Sequence, residues 1–156
     1  VVITRPNIAL DDKDIGFLPG DIYGKMAPWT RPILEVFEDY YSVKTIQSML
    51  ENNIIELLPM AFVRGRTLKN SVIILDEAQN TTRNSMVSAL TRIGEGSKMI
   101  VTGDTKQSDR GDKNGLTDFL ARYKATPRIA VVQFEKHDVE RHPVINTILH
   151  WYGEHD

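Results

Sequence analysis

Short continuous hydrophobic runs alternate with helical hydrophobic periods along most of the chain, a pattern typical of a parallel sheet covered by helices. The clearest run covers residues 72–75, where four aliphatic residues lead directly into Asp76 and Glu77. A buried parallel strand has this composition, and two adjacent charges can lie only where the strand leaves the core. The pattern therefore predicts that Asp76 and Glu77 lie at the carboxyl end of a central strand, where ligands bind in open α/β sheets.

The remaining runs predict further strands and helices in alternation. Residues 7–29 carry three glycines and two prolines without a hydrophobic period, which predicts a long loop, either functional or an ordered surface excursion. Strands separated by helices of about ten residues predict βαβ units, and hence a single three-layer α/β domain with a mainly parallel sheet over residues 1–156. The other predicted strands are 1–4, 54–58, 98–102 and 129–134. The predicted helices begin at Pro32, Val43, Thr81 or Thr82, Leu116 and Pro143.

Composition narrows the class of protein without naming a function. The 156 residues are 41% hydrophobic and 26% charged, as in an ordinary globular domain. No apolar run approaches the roughly 20 residues of a membrane span, and the first residues lack the basic region of a signal peptide. Cysteine is absent, which excludes disulfides and favours a cytoplasmic setting. A net charge of -2 means that any nucleic-acid binding needs a local basic patch.

The residues after the central strand suit nucleotide chemistry. An Asp at a strand tip can hold Mg²⁺, which keeps much of its hydration and takes one or two protein carboxylates. Glu77 can orient and deprotonate an attacking water. Gln79 offers a donor and an acceptor to a nucleobase edge or a γ-phosphate. The alternative is a buried strand that simply ends on a charged turn.

A second polar strand end follows residues 98–102. Gly103 allows a tight turn as the strand leaves the sheet, while Asp104 and Gln107 bring an acceptor and an amide to the edge predicted for Asp76. A Gln at this place can sense a γ-phosphate and pass the difference to a neighbouring loop. Gly-Asp turns are common, so the prediction depends on the two strand ends lying in register.

Two further stretches carry charge. Arg64, Arg66 and Lys69 lie within six residues on a Gly-containing loop and can clamp polynucleotide phosphates, although a short basic loop is more often simply solvated. Arg141 precedes a helix, where a guanidinium can stabilise a transferring phosphoryl group in the same subunit or across to a neighbour; it can equally pair with a neighbouring carboxylate. The nearby histidines have no standard metal-site spacing.

Taken together, these motifs resemble the PhoH family of P-loop ATPases, which is similar in its core to helicases of the first superfamily. The resemblance implies ATP binding and hydrolysis with Mg²⁺, with Asp76 and Glu77 as the Walker B pair and Gln107 in a helicase-like third motif. It also implies, loosely, a link to RNA or single-stranded nucleic acid. It is carried by residues 4–6, 16–21, 64–67, 73–82, 91–94, 97–99, 102–104 with 107, and 141–143.

The chain departs from the family pattern in one respect. The family has a phosphate-binding loop of the form G-x-x-x-x-G-K-[ST], and no such motif occurs in this sequence. The resemblance therefore implies a RecA-like core that lacks its first strand, P-loop and helix, either because the residues belong to a longer protein or because the copy is truncated.

We therefore expect a PhoH-like ATPase that binds ATP and Mg²⁺. Its expected site comprises Glu77, Gln107 and Arg141 as catalytic residues, Asp76, Gln79, Gly103 and Asp104 as nucleotide-binding residues, Asp76 as metal ligand, and Arg64, Arg66 and Lys69 as nucleic-acid contacts. A homo-oligomeric ring would allow Arg141 to act in trans. The alternative is a non-catalytic RNA-binding or assembly module with a vestigial nucleotide site.

Overall fold

A parallel sheet at the centre of the fold determines where every other element lies. The structure is a computed structural model that describes residues 1–6, 22–109, 111, 113–135, 138, 140 and 142–153, with residues 22–29 described by their backbone alone. The described chain divides into two compact units, residues 1–123 and residues 124–156.

The sheet of the first unit has four parallel strands in the order β2-β1-β3-β4. In register, Ile3 of β1 lies between Leu57 of β2 and Ile74 of β3, and Ile74 lies beside Ile100 of β4. The strand order requires crossover connections, and helices supply the longer ones. The strands are β1 (Val2–Thr4), β2 (Glu56–Leu57), β3 (Val72–Leu75) and β4 (Lys98–Val101).

Helices cover both faces of the sheet, which confirms the predicted three-layer α/β fold. On one face, Ile3 and Leu57 pack against residues of α1 and α2 such as Phe37 and Leu50. On the other face, Leu75 packs against α4 and α5. The helices of the first unit are α1 (Ile22–Glu38), α2 (Val43–Glu51), α3 (Met60–Val63), α4 (Arg83–Leu90) and α5 (Gly115–Arg122).

The local signals set most of the helix boundaries as expected. The side chains of Ser42, Thr82 and Asn114 each accept a hydrogen bond from the backbone N–H three residues later, which caps α2, α4 and α5. Asn53 follows α2 with a φ of 55°, a left-handed conformation that Asn tolerates better than most residues and that stops the helix. These three helices therefore begin where short polar side chains replace the missing intrahelical acceptors.

The loop predicted for residues 7–29 is wrong in its last part. Helix α1 begins at Ile22 and continues through Pro28 and Pro32 to Glu38, so Pro32 is not its first residue. Proline removes a backbone donor and disfavours a helix interior, which is why the sequence pattern predicted a later start. Burial of Ile33, Leu34 and Phe37 against the sheet favours the helix in spite of this cost. Residues 7–21 lie outside the described part of the chain.

The second unit contains α6 (Pro143–Trp151), which begins as predicted with Pro143 in its first turn. The strand predicted for residues 129–134 is wrong. The described residues there form only an isolated bridge between Thr126 and Ile129, and the side chains of Val132 and Phe134 are each 77% exposed. A hydrophobic run becomes a strand only where another strand pairs with its backbone, and the described residues form no ladder here beyond that single bridge.

Helices α4 and α5 pack closely because Gly115 has no side chain. A Cβ atom at this position would lie 2.3 Å from Thr81 Oγ1, 2.7 Å from the Thr82 carbonyl oxygen and 2.8 Å from Met86 Cβ. We expect Gly115→Ala to lower the free energy of unfolding by about 1–3 kcal/mol, the usual cost of overpacking. Chemical denaturation with urea would measure this loss.

The matched control is Lys113→Ala, two residues earlier, where the side chain is exposed. A surface change of this kind should shift the free energy of unfolding by no more than about 0.5 kcal/mol. Equal effects of the two substitutions would show that the close packing at Gly115 does not limit stability.

Candidate nucleotide site at the carboxyl edge of the sheet

Three strand ends meet at the carboxyl edge of the sheet. The backbone N–H of Asp76 donates to the carbonyl oxygen of Thr4 at 3.0 Å, which joins the ends of β3 and β1. The N–H of Ala78 donates to the carbonyl oxygen of Thr102 at 2.9 Å, which joins the ends of β3 and β4. The residues that follow these strands, including Arg5 and Gly103, therefore lie at one edge of the sheet. The sequence predicted this position for the residues after β3 and β4, but not for Arg5.

Asp76 is held from both sides. The hydroxyl of Thr102 donates to Asp76 Oδ1 at 2.7 Å, and Arg5 Nε lies 3.5 Å from Asp76 Oδ2. The Asp76 side chain is partly exposed, so its oxygens are both oriented by the protein and open to a ligand. Sequence reasoning did not include Thr102 or Arg5 in the site, although pairing of β1 and β4 with β3 predicts their proximity.

Glu77 is held by two side chains in an unusual backbone conformation. Arg5 Nη2 donates to Glu77 Oε1 at 2.7 Å, and Gln79 Nε2 donates to Glu77 Oε2 at 2.5 Å. Its φ of 54° and ψ of 40° lie in the left-handed region, where a residue with a Cβ is strained by about 1–3 kcal/mol. Such strain is concentrated at functional sites, and here it turns the carboxylate out of the strand.

Gln79 ties the two loops of the site together. It is only 2% exposed, and its Oε1 accepts a hydrogen bond from the backbone N–H of Asp104 at 3.2 Å. The hydroxyl of Ser108 donates to the Gln79 carbonyl oxygen at 2.9 Å. A Cβ on Gly103 would lie 2.6 Å from Gln79 Oε1, so the glycine allows this contact. Both ends of the Gln79 amide are thus used within the protein.

The remaining residues predicted for the site are less closely connected. Gln107 lies in the turn after β4, where its N–H donates to the Asp104 carbonyl oxygen at 3.2 Å, and its side chain is exposed. The Asp104 carboxylate accepts a hydrogen bond from the N–H of Lys106 at 2.9 Å. Arg141 lies outside the described residues. His142 caps α6 through a hydrogen bond that its Nδ1 accepts from Val144 N at 3.3 Å.

The basic loop lies at the opposite edge of the sheet. Arg64, Arg66 and Lys69 precede β3, whereas Asp76 and Glu77 follow it, so a strand of roughly 13 Å separates the two groups at about 3.3 Å per residue. Arg66 donates to both carboxylate oxygens of Glu56, at 2.5 Å and 3.2 Å. This hydrogen bond raises the pKa of Arg66, which therefore stays charged. The side chains of Arg64 and Lys69 are exposed.

Comparison with known proteins agrees with this architecture. The family profile described as "PhoH-like protein" matches residues 1–153. The chain is 40% identical to the PhoH-like protein of Bacillus subtilis over 156 residues, covering 99% of this chain and 49% of that protein. It is 42% identical to Protein PhoH of Escherichia coli K12 over 157 residues, covering 98% and 44%. The chain belongs to the PhoH family. It spans less than half the length of these relatives.

PhoH family membership and the α/β fold together point to a nucleotide-binding P-loop protein. The donors available at the carboxyl edge of this PhoH chain fit Mg²⁺, because Asp76 offers a carboxylate that Thr102 orients. Within the described residues, no group of three or more His, Asp or Glu side chains is arranged to hold a metal by itself. A cation at Asp76 would thus depend on water and nucleotide oxygens for its other ligands. No described helix has the length and apolar character needed to cross a membrane.

Gln79, whose amide is buried, and Gln107, whose amide is exposed, can be compared as a test position and its control. We expect Gln79→Ala to lower the free energy of unfolding by about 2–3 kcal/mol, since it removes the hydrogen bonds that Gln79 makes with the Asp104 N–H and with Glu77 Oε2. Gln107→Ala should change it by less than about 0.5 kcal/mol. Urea unfolding of both variants would measure this, and a small effect of Gln79→Ala would contradict the role of its amide in joining the loops.

Proposed function

We propose that this chain forms part of a PhoH-type ATPase that hydrolyses ATP by in-line attack of water. The observation that carries the proposal is the convergence of Asp76, Glu77 and Thr102 at one carboxyl edge of a parallel sheet, with Asp76 oriented by the Thr102 hydroxyl. This is the edge where open α/β sheets bind ligands. The family match over residues 1–153 supports the same assignment.

Asp76 is the proposed Mg²⁺ ligand. When bound, the cation would neutralise charge that develops on the transferring phosphoryl group. The protein's contribution is to hold Asp76 in a fixed orientation through Thr102, so that little side-chain freedom is lost when the ligand binds. Gly103 and Asp104, which follow β4 at the same edge, are the proposed nucleotide contacts beside it, together with the backbone around Gln79.

Glu77 is the proposed general base. Its left-handed backbone conformation turns the carboxylate out of the line of β3, toward the edge at which Asp76 lies. A carboxylate in this position can orient a water molecule and accept its proton as it attacks the γ-phosphate. Arg5 and Gln79 each donate to one of the Glu77 carboxylate oxygens, so an attacking water would compete with these contacts for Glu77.

Gln107 and Arg141 are proposed to respond to the γ-phosphate. The exposed side chain of Gln107 lies on the turn that begins at Asp104, and Gln79 anchors that turn to the loop after β3. A contact between Gln107 and the γ-phosphate would therefore be transmitted to the Glu77 loop. Arg141, outside the described residues, is proposed as an arginine finger, either within its own subunit or in a neighbouring subunit of a homo-oligomeric ring.

A link to RNA is proposed through the opposite edge of the sheet. The side chains of Arg64 and Lys69 are exposed there, and cations on an exposed loop can bind phosphates of single-stranded nucleic acid. Arg66 is already paired with Glu56, so it would contribute fully only if that ion pair opened. The β3 strand connects this loop to Asp76 and Glu77, which gives a direct structural connection between the two proposed sites.

Replacement of the base tests the enzymatic proposal. In the protein with its complete natural sequence, Glu77→Gln should reduce phosphate release from ATP at least about 100-fold while ATP binding is retained, because an amide cannot accept the proton. The control is Glu95→Gln, an exposed carboxylate in the turn before β4, which should hydrolyse ATP like the wild type. Equal inactivity of wild type and Glu77→Gln, with RNA binding intact, would favour a non-catalytic RNA-binding or assembly module.

The basic loop can be tested by its salt dependence. Arg64→Ala combined with Arg66→Ala should weaken binding to single-stranded RNA and flatten the slope of log K against log salt, since each lost phosphate contact removes about 0.7. The slope should change by about 0.7 if Arg66 stays paired with Glu56, and by about 1.4 if that pair opens on binding. The control is Arg31→Ala combined with Arg122→Ala, two exposed arginines that pair with helix carboxylates. Fluorescence anisotropy at several salt concentrations measures the RNA affinity of both double variants. Unchanged binding by the loop variant would show that this loop does not contact RNA.

A further inference from the structure

At the carboxyl edge, Arg5 forms ion pairs with both Asp76 and Glu77, although the proposed reaction gives Arg5 no role. Arg5 follows β1, and its guanidinium spans two adjacent carboxylates: Nε lies 3.5 Å from Asp76 Oδ2, and Nη2 lies 2.7 Å from Glu77 Oε1. Its side chain is 24% exposed, and the two carboxylates are 27% and 33% exposed. The three groups thus form a partly desolvated cluster, in which charge interactions are stronger than on an open surface.

The backbone beside Arg5 is held without its side chain. The carbonyl oxygen of Thr4 accepts the hydrogen bond from Asp76 N, and Val2, Ile3 and Thr4 are paired in register with β3. These contacts place the end of β1 next to the end of β3 whichever side chain follows. Backbone contacts therefore hold the sheet together here, and the Arg5 guanidinium can have a role that depends on its charge.

The Arg5 guanidinium and a bound cation would compete for the same carboxylates. A cation bound to Asp76 would stand close to the Arg5 guanidinium, and two positive charges at this range repel one another strongly in a partly buried site. Without Arg5, the adjacent carboxylates of Asp76 and Glu77 would repel each other instead. The two carboxylates need a positive partner, and either the singly charged guanidinium or a divalent cation can supply one.

We propose that Arg5 is an internal counter-ion that excludes the divalent cation from Asp76 in the nucleotide-free protein and is displaced from the carboxylates when cation and triphosphate bind together. This inference rests on the proposed function, because it assigns the cation to Asp76. Displacement of Arg5 also releases Glu77 Oε1, so the proposed base becomes available only after the metal and nucleotide have bound. Arg5 is a positioning residue in this scheme, since it acts through Glu77 and Asp76.

The triphosphate provides the other half of the exchange. A guanidinium that leaves a carboxylate needs a new anionic partner, and the phosphate oxygens of a bound nucleotide are suitable acceptors for its planar donors. The cation and the triphosphate should therefore bind with positive coupling, because each removes an obstacle to the other. The metal alone, with no anion to receive Arg5, should bind weakly to the wild type.

Metal binding without nucleotide tests the inference directly. Mn²⁺ would be titrated into the protein with its complete natural sequence and followed by the loss of the free-ion electron paramagnetic resonance signal. We expect Arg5→Gln to bind Mn²⁺ at least tenfold more tightly than the wild type, and Arg5→Lys, which keeps the charge but not the planar fork, to lie between them. Addition of Asp76→Asn to Arg5→Gln should abolish the gain.

The matched control is Arg31→Gln. Arg31 also bridges two carboxylates, since it contacts Glu35 at 3.0 Å and Glu38 at 2.8 Å, but all three residues lie on one helix, α1, rather than after strands. Its replacement releases two acidic side chains and changes the net charge by the same amount as Arg5→Gln. Mn²⁺ affinity equal to wild type in Arg31→Gln shows that a gain in Arg5→Gln is specific to the site.

A second titration separates this inference from the proposed function. If the wild type binds Mn²⁺ with ATP in a manner that Asp76→Asn weakens, but Arg5→Gln and Arg5→Lys bind Mn²⁺ alone no more tightly than wild type, the counter-ion role is overturned and the proposed site stands. If Asp76→Asn has no effect on binding of Mn²⁺ with ATP, the proposed function itself fails. Thermal denaturation shows whether each variant is folded. If Arg5→Gln does not fold, the comparison is made with Arg5→Lys, which is the smaller change.

Discussion

Parallel pairing of β3 with β1 on one side and β4 on the other is the constraint on which the candidate site depends. Two backbone hydrogen bonds, from Asp76 N to the Thr4 carbonyl oxygen and from Ala78 N to the Thr102 carbonyl oxygen, join the strand ends. Since side chains alternate between the faces of a strand, this register also places Leu75 in the core and lets the following carboxylates emerge at the edge. A slip of one residue would place Asp76 among the hydrophobic side chains.

The edge is organised by a small polar network rather than by hydrophobic contacts alone. Gln79 is buried and uses its amide to connect the Glu77 carboxylate with the loop that follows β4. Asn80, also buried, accepts a hydrogen bond from the N–H of Asp109 in the same loop. Buried polar groups of this kind are costly unless they are paired. The loops after β3 and β4 are therefore expected to move together, which suits a site in which one of them responds to the nucleotide.

Glu77 illustrates how stability and function are balanced at this edge. Its left-handed backbone is strained, and its two carboxylate oxygens are held by Arg5 and Gln79. These contacts offset part of the strain in the free protein. They also occupy the atoms that the proposed reaction requires. Under the proposed mechanism, the ion pair that stabilises this edge would therefore also limit activity until Arg5 exchanged Glu77 for another anionic partner.

Sequence pattern alone determined the parts of this protein that depend on local chemistry. The four aliphatic residues before Asp76 predicted β3, and the alternation of strands and helices predicted the three-layer fold. The pair Thr81 and Thr82 predicted the start of α4 to within one residue. Family membership was also evident from short motifs, because they occur in order over nearly the whole chain. Each of these features can be identified from residues close together in sequence, and none requires knowledge of which distant segments touch.

Tertiary structure alone decided the rest. Arg5 is 71 residues from Asp76 in sequence, so only the pairing of β1 with β3 shows that its guanidinium contacts both carboxylates. The pairing of Arg66 with Glu56, the early start of α1 and the absence of a strand in the described residues 129–134 were equally hidden. A charge, a proline or a hydrophobic run has a local preference, but its partner, which decides the outcome, comes from elsewhere in the chain.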